Sequence, residues 1–361
     1  MKIICTVTTD LNFDQRMARI CSSLHSFGHD VELVGREKSD SNPILNKDYK
    51  QTRLKCFFEK GKLFYLEYNI RLFFYLLRQK TDVVCSCDLD TILPGVLKKR
   101  FHKTRLVYDA HEYFSEMEEV VSRPMIRRVW KKVEAVSVPK TDLCYTVSKS
   151  YADLFKKEYG KNFGVIRNVT SLDTSRKKEK KEKYILYQGA VNHGRGLHSL
   201  IKSMPFIDCQ LVICGNGDVY EELKALVQTL GLKEKVNFTG YLEPAELKHY
   251  TINAYIGITL FTNQGMSNQY SLANRFFDYL HAGVPQLAMN YPEYRRFNEE
   301  FEVASLIDNV NEVAITSSLN HLLKNESHYE RLRSSALDAR LKHNWQSDER
   351  KLESLYASLS S

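Results

Sequence analysis

Two arginines and an aspartate lie where a nucleotide diphosphate could be held. Arg275 and Asp278 are one helical turn apart within YSLANRFFDYLHAGVP, residues Tyr270–Pro285. Arg195 stands in the glycine-bearing run GAVNHGRG, which begins at Gly189 after a strand-like apolar segment. Guanidinium groups bind phosphate through charge-assisted hydrogen bonds, and a carboxylate accepts hydrogen bonds from ribose hydroxyls. The alternative is that Arg275 and Asp278 form only an exposed i, i+3 ion pair.

The segment that holds Arg275 is predicted to begin a helix just after a strand. Ser271 is a good N-cap, and Gly283, before a Val-Pro pair, is a helix stop. The preceding predicted strand ends in a Gly- and Asn-bearing loop at positions 262–265. A helix N-terminus offers free N–H groups and the positive end of a dipole. This arrangement favours a diphosphate at the helix start.

In the first half of the chain, polar residues follow another strand-like run. His111 and Glu112 come directly after it, and His111 can donate a hydrogen bond to a sugar hydroxyl. Asp10, in the first loop after a strand, is a further candidate for acceptor contact. A lone histidine is more often structural, and this alternative stays open. The run Asp-Leu-Asp at 88–90 has the spelling of a metal motif, but aspartates favour helix starts, and we predict no metal there.

Short apolar runs alternate with helix-length periodic segments along the chain, which predicts the α/β class. The strands predicted in the first half are Lys2–Val7, Asp30–Gly35, Arg53–Phe58, Asp82–Cys87, Arg105–Asp109, Leu143–Val147 and Gly164–Arg167. After a polar stretch at 171–183, interpreted as a linker, the predicted strands are Tyr184–Gly189, Gln210–Gly215, Val236–Gly240, Tyr255–Leu260 and Val284–Met289.

This pattern predicts two doubly wound, Rossmann-like domains, 1–170 and 171–344. The helix 345–361 is expected to pack back on the first domain. Ligands of such folds bind at the carboxyl ends of the strands, so we expect a central cleft between the domains to carry the function.

Composition fits a protein with free thiols and no membrane span. A chain of 361 residues with 43% apolar content is too long for one ordinary domain. No apolar run reaches the roughly 18 residues that cross a bilayer, and the first residues run into a strand rather than a signal peptide. The eight cysteines are scattered, which favours a reducing compartment. We therefore predict a cytoplasmic location.

The net charge of +8 suits nucleic acid, anionic lipid or phosphorylated substrates. The basic clusters lack aromatic stacking runs and a nucleic-acid motif, so we predict no nucleic-acid partner. The aromatic-rich helix Lys62–Leu77 is interpreted as core packing. In the alternative, it forms a patch with Arg123–Lys132 that binds an anionic membrane surface, which would place the protein peripherally on the inner face of a membrane.

The run from Tyr270 to Pro285 resembles the retaining glycosyltransferases of family 4, which have the GT-B fold. Many members carry Tyr-Ser-Leu-Pro-Asn-Lys, two aromatic residues, an acid and Tyr, and end in Ala-Gly-Val-Pro. Here Ala273, Arg275 and Asp278 stand for Pro, Lys and the usual Glu. The strand–loop–helix run 187–197 and the Asp-x-His-Glu run 109–112 resemble other family motifs. The resemblance extends over most of the chain.

The resemblance implies a nucleotide-diphosphate sugar donor, transfer with retention of the anomeric configuration, and no metal or other cofactor. Acceptors in the family are often glycans or lipid-linked, which implies polysaccharide or glycoconjugate biosynthesis. With the residue patterns, it assigns catalysis to His111, Arg195 and Arg275. The positions that it assigns to the donor are Gly189, Gly194, Gly215, Gly240, Tyr241, Leu242, Ser271, Leu272, Asn274 and Asp278.

Two rival hypotheses remain at this stage. A sugar-nucleotide epimerase of the same two-domain build would act without an acceptor. A catalytically degenerate partner subunit is favoured by Tyr270 where an upstream acid is common in the family, by Ala190 where many members have Arg, and by a first loop without glycine. A nicotinamide dehydrogenase does not fit, because no G-x-G-x-x-G follows the first strand.

Overall fold

Parallel strands alternate with helices along both halves of the chain, which confirms the α/β class. The structure, a computed structural model, describes residues 1–12, 14–173, 183–262 and 266–359. The strands are β1 Lys2–Thr6, β2 Asp30–Glu37, β3 Lys50–Lys55, β4 Val83–Cys87, β5 Arg105–Ala110, β6 Leu143–Thr146, β7 Gly164–Val165, β8 Tyr184–Gln188, β9 Gln210–Cys214, β10 Val236–Gly240, β11 Ile256–Thr259, β12 Gln286–Met289 and β13 Ala304–Ile307.

Helices fill the connections between these strands. They are α1 Gln15–Ser26, α2 Gly61–Arg78, α3 Ile92–Phe101, α4 Glu118–Val121, α5 Pro124–Ser137, α6 Lys149–Tyr159, α7 Leu197–Ser203, α8 Tyr220–Thr229, α9 Pro244–Asn253, α10 Met266–Gln269, α11 Asn274–His281, α12 Pro292–Glu300, α13 Glu312–Lys324, α14 Glu326–Lys342 and α15 Trp345–Ala357. None of the helices within the described ranges is long and apolar enough to cross a bilayer.

The described chain divides into two units. Unit 1 holds Met1–Asn168 and the C-terminal segment from Asp348, and unit 2 holds most of the intervening residues. The sheet of unit 1 is parallel, with strand order β3-β2-β1-β4-β5-β6-β7. Its order reverses between β1 and β4, so the carboxyl ends of these two strands define a topological switch point.

The sheet of unit 2 is also parallel, with strand order β10-β9-β8-β11-β12-β13. Its order reverses between β8 and β11. All residues of β8, β11 and β12 are buried, as expected of central strands covered on both faces. The ends of β8 and β11 are therefore where a ligand of this unit is expected.

Most of helix α15 completes unit 1. Leu352 and Tyr356 are fully buried, and the Tyr356 hydroxyl lies 3.5 Å from that of Tyr145 on β6. A leucine of the helix, Leu355, lies so close to Gly164 on β7 that a Cβ there would sit 2.8 Å from its side chain. The helix thus closes one face of the first sheet near its β7 edge.

Two strand predictions were wrong. The third strand covers Lys50–Lys55 and not Arg53–Phe58. It is an edge strand, and edge strands tolerate polar residues, so its polar start was not recognised as a strand. The apolar pair Phe57-Phe58, which was assigned to it, lies outside the sheet. Strand β13 was missed, because its four residues at the sheet edge give too short an apolar run. The predicted linker 171–183 lies largely outside the described residues.

Candidate active site

The Arg275 guanidinium spans the switch point of the second sheet. It lies in the first turn of α11 and is only 8% exposed. Its Nη1 is 3.3 Å from the carbonyl oxygen of Gln188 at the end of β8, and its Nη2 is 3.5 Å from that of Leu260 just after β11. A third bond joins Nη1 to the Tyr187 hydroxyl at 3.4 Å. All three bonds are long, and Nε has no hydrogen-bond partner in the described part of the chain. A buried cation so weakly bonded is suited to receive an anion.

Aromatic rings hold the two predicted arginines together. The Arg275 guanidinium carbon lies 4.8 Å from the ring centroids of both Tyr187 and Phe261. The Arg195 guanidinium carbon lies 4.9 Å from the same Phe261 ring, and its Nη1 is 3.4 Å from Asn268 Oδ1. Cation–π contacts stabilise the guanidinium groups without neutralising them. The structure thus brings two positive charges around one ring beside the ends of β8 and β11.

Asp278 lies next to the same strand end. Its carboxylate accepts hydrogen bonds from Gln188 Nε2 at 3.0 Å and from Thr170 Oγ1 at 2.9 Å. Gln188 is fixed in turn by the Thr251 hydroxyl at 2.7 Å. Because Arg275 is buried, the alternative of a mere exposed ion pair with Asp278 does not fit. Arg195, Arg275 and Asp278 are grouped at one edge of unit 2.

Three glycines run along this edge of the sheet, after β8, after β9 and at the end of β10. Gly189 donates its N–H to Cys214 O, and Gly215 donates to Gly240 O, both within 2.9 Å. A Cβ on Gly215 would lie 1.9 Å from Gly189 O, and the φ of Gly215 is 142°, so glycine is required there. The loops can pack this closely only because these two glycine positions carry no side chain.

The other predicted donor positions have distinct settings. Gly194 accepts a hydrogen bond from Thr262 N at 2.8 Å, which ties the loop after β8 to the loop after β11. Tyr241 is 62% exposed and available to a flat ligand, whereas Leu242 packs against the apolar core. Asn274 is exposed at the first position of α11, and Leu272 is buried before it.

The predicted N-cap was wrong. Helix α11 begins at Asn274, and its N-cap is Ala273, not Ser271. The Ala273 N–H donates to the Tyr294 hydroxyl at 3.1 Å, so a tyrosine from α12 satisfies a backbone donor in the turn before the helix. Because the Ala273 backbone is extended, the helix begins only at the next residue.

A buried charge cluster lies at the carboxyl edge of the first sheet. Asp109, at the end of β5, is fully buried and accepts from Arg16 Nη2 at 3.0 Å. Its other oxygen lies 2.8 Å from His111 Nε2. Arg16 also donates to Ile166 O at 3.0 Å. The predicted His111 is therefore oriented by an aspartate that is itself paired with a buried arginine.

The charges of this cluster shift its proton affinities. Burial lowers the pKa of His111, but the Asp109 carboxylate outweighs it, and the His111 pKa rises to about 9. Burial raises the pKa of Asp109, but Arg16 and His111 dominate and hold it below its ordinary value. At neutral pH, His111 is thus a cation whose ring nitrogens both carry hydrogen-bond donors. Its side chain lies just after the end of β5 and is 17% exposed.

Asp88 and Asp90 follow β4 at the switch point of unit 1. As predicted they begin a helix, since Asp88 is the N-cap residue of a short 3-10 helix, Leu89–Thr91, and Asp90 lies in its first turn, but the Asp88 side chain makes no capping hydrogen bond. The Asp88 carboxylate accepts from the backbone N–H groups of His111 at 2.8 Å and Glu112 at 3.3 Å. Asp90 accepts from the Thr8 hydroxyl at 2.6 Å. Burial raises the pKa of Asp88 to about 7 and that of Asp90 to about 6. These aspartates bond to neighbouring strand ends because the switch point brings them there.

Asp10 and Glu112 have different settings. Asp10 is buried, and its carboxylate accepts from Arg53 Nη2 at 2.7 Å, from the Asn12 N–H at 3.1 Å and from the Ser41 hydroxyl. These bonds tie the first loop to β3. Glu112 has an exposed side chain just after His111. Asp10 therefore anchors the first loop through these bonds, whereas the Glu112 side chain is exposed.

The donor atoms of Cys87, Asp109 and His111 lie within 4.8 Å of one another, a grouping that could hold a metal. The fit is poor. Both Asp109 oxygens are already bonded, one of them to the Arg16 guanidinium, and a permanent positive charge beside the ligand disfavours a second cation. The arrangement is better suited to orient an imidazolium.

The backbone of Asp88 gives a stability prediction. Its φ of 55° and ψ of 173° lie in a region that favours glycine. Asp88→Ala loses both accepted hydrogen bonds and keeps the strain, so the free energy of unfolding should fall by about 2 kcal/mol. Asp88→Gly loses the same bonds but relieves the strain, and should be about 1 kcal/mol more stable than the alanine variant. Urea unfolding measures both; equal stabilities would contradict the strain.

Residues that prediction missed surround the predicted ones. Tyr187, Gln188 and Phe261 position Arg275 and Asp278, and Arg16 and Asp109 orient His111. The available signal was position, since each of these residues except Arg16 lies at or just after the carboxyl end of a central strand. For Arg16, on α1, the signal was the match of Asp14-Gln15-Arg16 to a further family position, which indicated a structural or supporting residue but not its partners, since these are distant in sequence.

Two parallel, doubly wound sheets, one with a glycine-lined and cationic switch point, define a protein of the Rossmann-like class. Residues 15–174 match the model of Glycosyltransferase Family 4, and residues 169–338 match that of Glycosyl transferases group 1. The two matches together span residues 15–338. The chain belongs to the family 4-type glycosyltransferases with the GT-B fold, which confirms the resemblance seen in its motifs.

Known relatives and structures agree with this assignment. The chain is 25% identical over 231 residues to an α-1,4-N-acetyl-D-galactosaminyltransferase of Campylobacter jejuni, which is named for its GalNAc-containing, diphosphoundecaprenol-linked substrate. The alignment covers 60% of this chain and 60% of that protein. It spans 18% to 60% of the length of the curated relatives that it matches.

Among solved structures, sucrose-phosphate synthase of Thermosynechococcus elongatus matches with a TM-score of 0.82 at 14% identity, over 99% of both chains. HepE of Anabaena, solved with UDP-glucose, matches with a TM-score of 0.78 at 12% identity, over 99% of this chain and 100% of that one. At such identities the likeness shows the fold.

Proposed function

We propose that this chain is a retaining glycosyltransferase that moves a sugar from a nucleotide-diphosphate donor onto a glycan or lipid-linked acceptor in polysaccharide or glycoconjugate biosynthesis. The observation that carries the proposal is the Arg275 guanidinium, buried yet weakly bonded across the switch point of unit 2, with Arg195 beside it. The relative from Campylobacter jejuni, named for a lipid-linked glycan, supports the acceptor class.

The two arginines would stabilise the leaving group. As the bond between the sugar anomeric carbon and the diphosphate oxygen breaks, negative charge grows on that oxygen, and Arg275 and Arg195 meet it. The acceptor oxygen bonds to the anomeric carbon on the same face, and its proton passes to the leaving phosphate oxygen. This course retains the configuration and needs no protein nucleophile.

Asp278 and Tyr241 would hold the nucleoside. The Asp278 carboxylate accepts hydrogen bonds from the two ribose hydroxyls, and the exposed Tyr241 ring stacks on the base. In unit 1, we propose that the His111 imidazolium donates a hydrogen bond to a sugar hydroxyl. Its charge is maintained by Asp109 through the pH range in which most enzymes work.

A panel of UDP, GDP, ADP and dTDP sugars tests this function. Sugars of one nucleotide base are expected to raise the melting temperature, and nucleoside diphosphate should be released only when an acceptor is present.

Because arginines meet the charge of the leaving group, turnover should survive EDTA. Full loss with EDTA that magnesium or manganese restores would contradict metal independence. Conversion of the donor without acceptor would indicate an epimerase, and donor binding with no turnover a partner subunit.

Substitution of Asp278 tests the ribose contact. A ribose contact is the same before and during transfer, so Asp278→Asn should raise the donor KM about tenfold and change kcat less than about threefold. Glu234→Gln, which removes one exposed carboxylate from a turn of the same unit, serves as the control and should leave both constants unchanged. An effect confined to kcat would exclude a ground-state ribose contact.

We also propose that unit 1 contacts an anionic membrane surface. Three helices that pack in series expose large apolar side chains: Leu63, Leu66, Ile70 and Phe74 on α2, Leu93, Leu97 and Phe101 on α3, and Met125, Ile126 and Val129 on α5. On α5 these alternate with arginines and lysines. Exposed apolar residues among cations are typical of helices that lie in a membrane interface.

Vesicle flotation tests this contact. Met125→Ser with Val129→Ser should reduce binding to vesicles of phosphatidylcholine and phosphatidylglycerol by about tenfold, since each buried side chain contributes transfer free energy. Pure phosphatidylcholine should bind less than the mixture. Equal binding of the variant and the original chain would contradict the proposal.

A further inference from the structure

A groove runs between the edge strand β3 and helix α2 in unit 1. Its volume is about 400 Å³, and its walls are Leu54 and Lys55 on the strand and Ile70, Phe74 and Arg78 on the helix. The strand lies at the end of the sheet, so its outer side pairs with no other strand of the described chain. The groove is distinct from the charge cluster at the carboxyl edge and from the arginine site of unit 2.

The charged residues among the described lining of the groove are all cationic. They are Arg53, Lys55, Arg71 and Arg78, and this described lining contains no aspartate or glutamate. Arg53 is paired with Asp10. In the part of the chain that the structure describes, Lys55 forms an ion pair only with Glu37, at 3.5 Å, and its side chain is 81% exposed. Among the described residues, no carboxylate oxygen lies within 4 Å of the Arg78 guanidinium. Exposed pairs of this kind contribute little, so Lys55 and Arg78 can bind a further anion.

The rest of the groove wall consists of Leu54, Ile70, Phe74 and Tyr75, and two of these side chains present apolar surface to solvent. Ile70 is 48% exposed and Phe74 is 51% exposed, and they lie one turn apart on the same side of α2. Leu54 packs against the core beneath them. A cationic rim beside an apolar wall suits an amphiphile better than a free anion, because each part of the ligand then has a matching surface.

An ordered aromatic pair stands beside the groove. The Glu67 carboxylate accepts from the Phe57 N–H at 2.9 Å, from the Phe58 N–H at 3.0 Å and from Arg71 Nε at 2.8 Å. The Arg71 guanidinium carbon lies 5.1 Å from the Phe57 ring centroid. Phe57 is nevertheless 87% exposed. One carboxylate thus fixes both the backbone that presents two phenylalanines and an arginine that lines the groove.

We infer that this groove binds the phosphate group of an anionic lipid, with Lys55 and Arg78 on the phosphate and the start of the acyl chain along Ile70 and Phe74. Phe57 and Phe58 would enter the bilayer interface beside it, where aromatic rings are favoured. The inference deepens the proposed membrane contact and does not depend on glycosyl transfer. It predicts recognition of one lipid molecule in addition to general attraction to a charged surface.

The test uses a lipid that is soluble as a monomer. Dihexanoyl phosphatidic acid below its micellar concentration should bind one molecule per chain in calorimetry, and inorganic phosphate should bind at least about tenfold more weakly. Lys55→Gln with Arg78→Gln should weaken lipid binding about tenfold or more, since two charge-assisted contacts are lost. Ile70→Gln, at an exposed position, should weaken binding of the lipid without affecting binding of inorganic phosphate.

Arg128→Gln is the matched control, because it removes one exposed charge from α5 outside the groove. It should reduce binding to anionic vesicles but leave binding of the monomeric lipid unchanged. Equal affinity for phosphate and lipid, insensitivity to the groove variants, or an equal effect of Arg128→Gln would each overturn the inference. Melting with and without donor, measured on the same variants, separates a failure here from a failure of the proposed transferase activity.

Discussion

Arg275→Met is expected to lower kcat by about 100-fold while the donor KM changes much less. Methionine fills the space between Tyr187 and Phe261 but carries no charge. The removed guanidinium lies across the ends of β8 and β11, where the leaving diphosphate is proposed to develop its charge, and loss of one such group typically costs two to three orders of magnitude. Steady-state kinetics with a saturating acceptor measures the effect.

Two variants control for side effects of this change. Arg275→Lys restores a charge of the type that family members often carry there, and should recover most of the activity. Lys233→Met removes one exposed charge from the same unit and should leave kcat unchanged. If Arg275→Met raised only KM, the arginine would bind the ground state and transition state equally. If it left both constants unchanged, the proposed donor site would be wrong.

Asp109→Asn should lower the free energy of unfolding by about 3–5 kcal/mol, because it leaves the buried Arg16 guanidinium without a counter-charge. Asp153→Asn is the matched control. It breaks an exposed i, i+4 pair with Lys149 on α6 and should cost less than about 0.5 kcal/mol. Urea unfolding at pH 7 compares the two. A loss of less than 1 kcal/mol at Asp109 would contradict a tight buried pair.

The same substitution should change the titration of His111. In the original chain the His111 pKa is about 9. Its contribution to stability is therefore fully present below its unfolded value near 6.5 and is lost as pH rises through about 9. The depressed pKa of Asp109 acts in the opposite direction, because its contribution is present above its unfolded value and lost in acid. In Asp109→Asn, the NMR titration midpoint of His111 should fall by at least about one pH unit.

The sequence predicts the fold and the charged residues of the unit 2 site better than it predicts the residues that surround them. Arg195, Arg275 and Asp278 were predicted to share one site because strand ends converge, and the structure groups them beside β8. What the sequence could not predict is how Arg275 is held. Its contacts to Tyr187 and Phe261 depend on the order of strands in the sheet, and a sequence does not state which strands are neighbours.

The same limit applies to the first unit. His111 was predicted from its place after a strand, but Arg16, which pairs with the Asp109 that orients His111, comes from a helix 93 residues before Asp109, and only the folded sheet connects them. Local propensity placed Asp88 at a helix start, and the structure has it as the N-cap residue of a 3-10 helix. Its carboxylate, however, accepts from two backbone N–H groups after β5, and no local rule could reveal these tertiary contacts.

The position of α15 has a consequence for the order of events during translation. The buried Leu352 and Tyr356 belong to unit 1, most of which, Met1–Asn168, is synthesised earlier. At roughly 5–20 residues per second, a ribosome needs on the order of ten seconds or more to travel between these segments. During that interval the nascent first sheet exposes the apolar surface near β7 that α15 later covers, and it is then a ready substrate for chaperones that hold apolar segments. Unit 2, whose sheet is complete before α15 emerges, can reach its native form first.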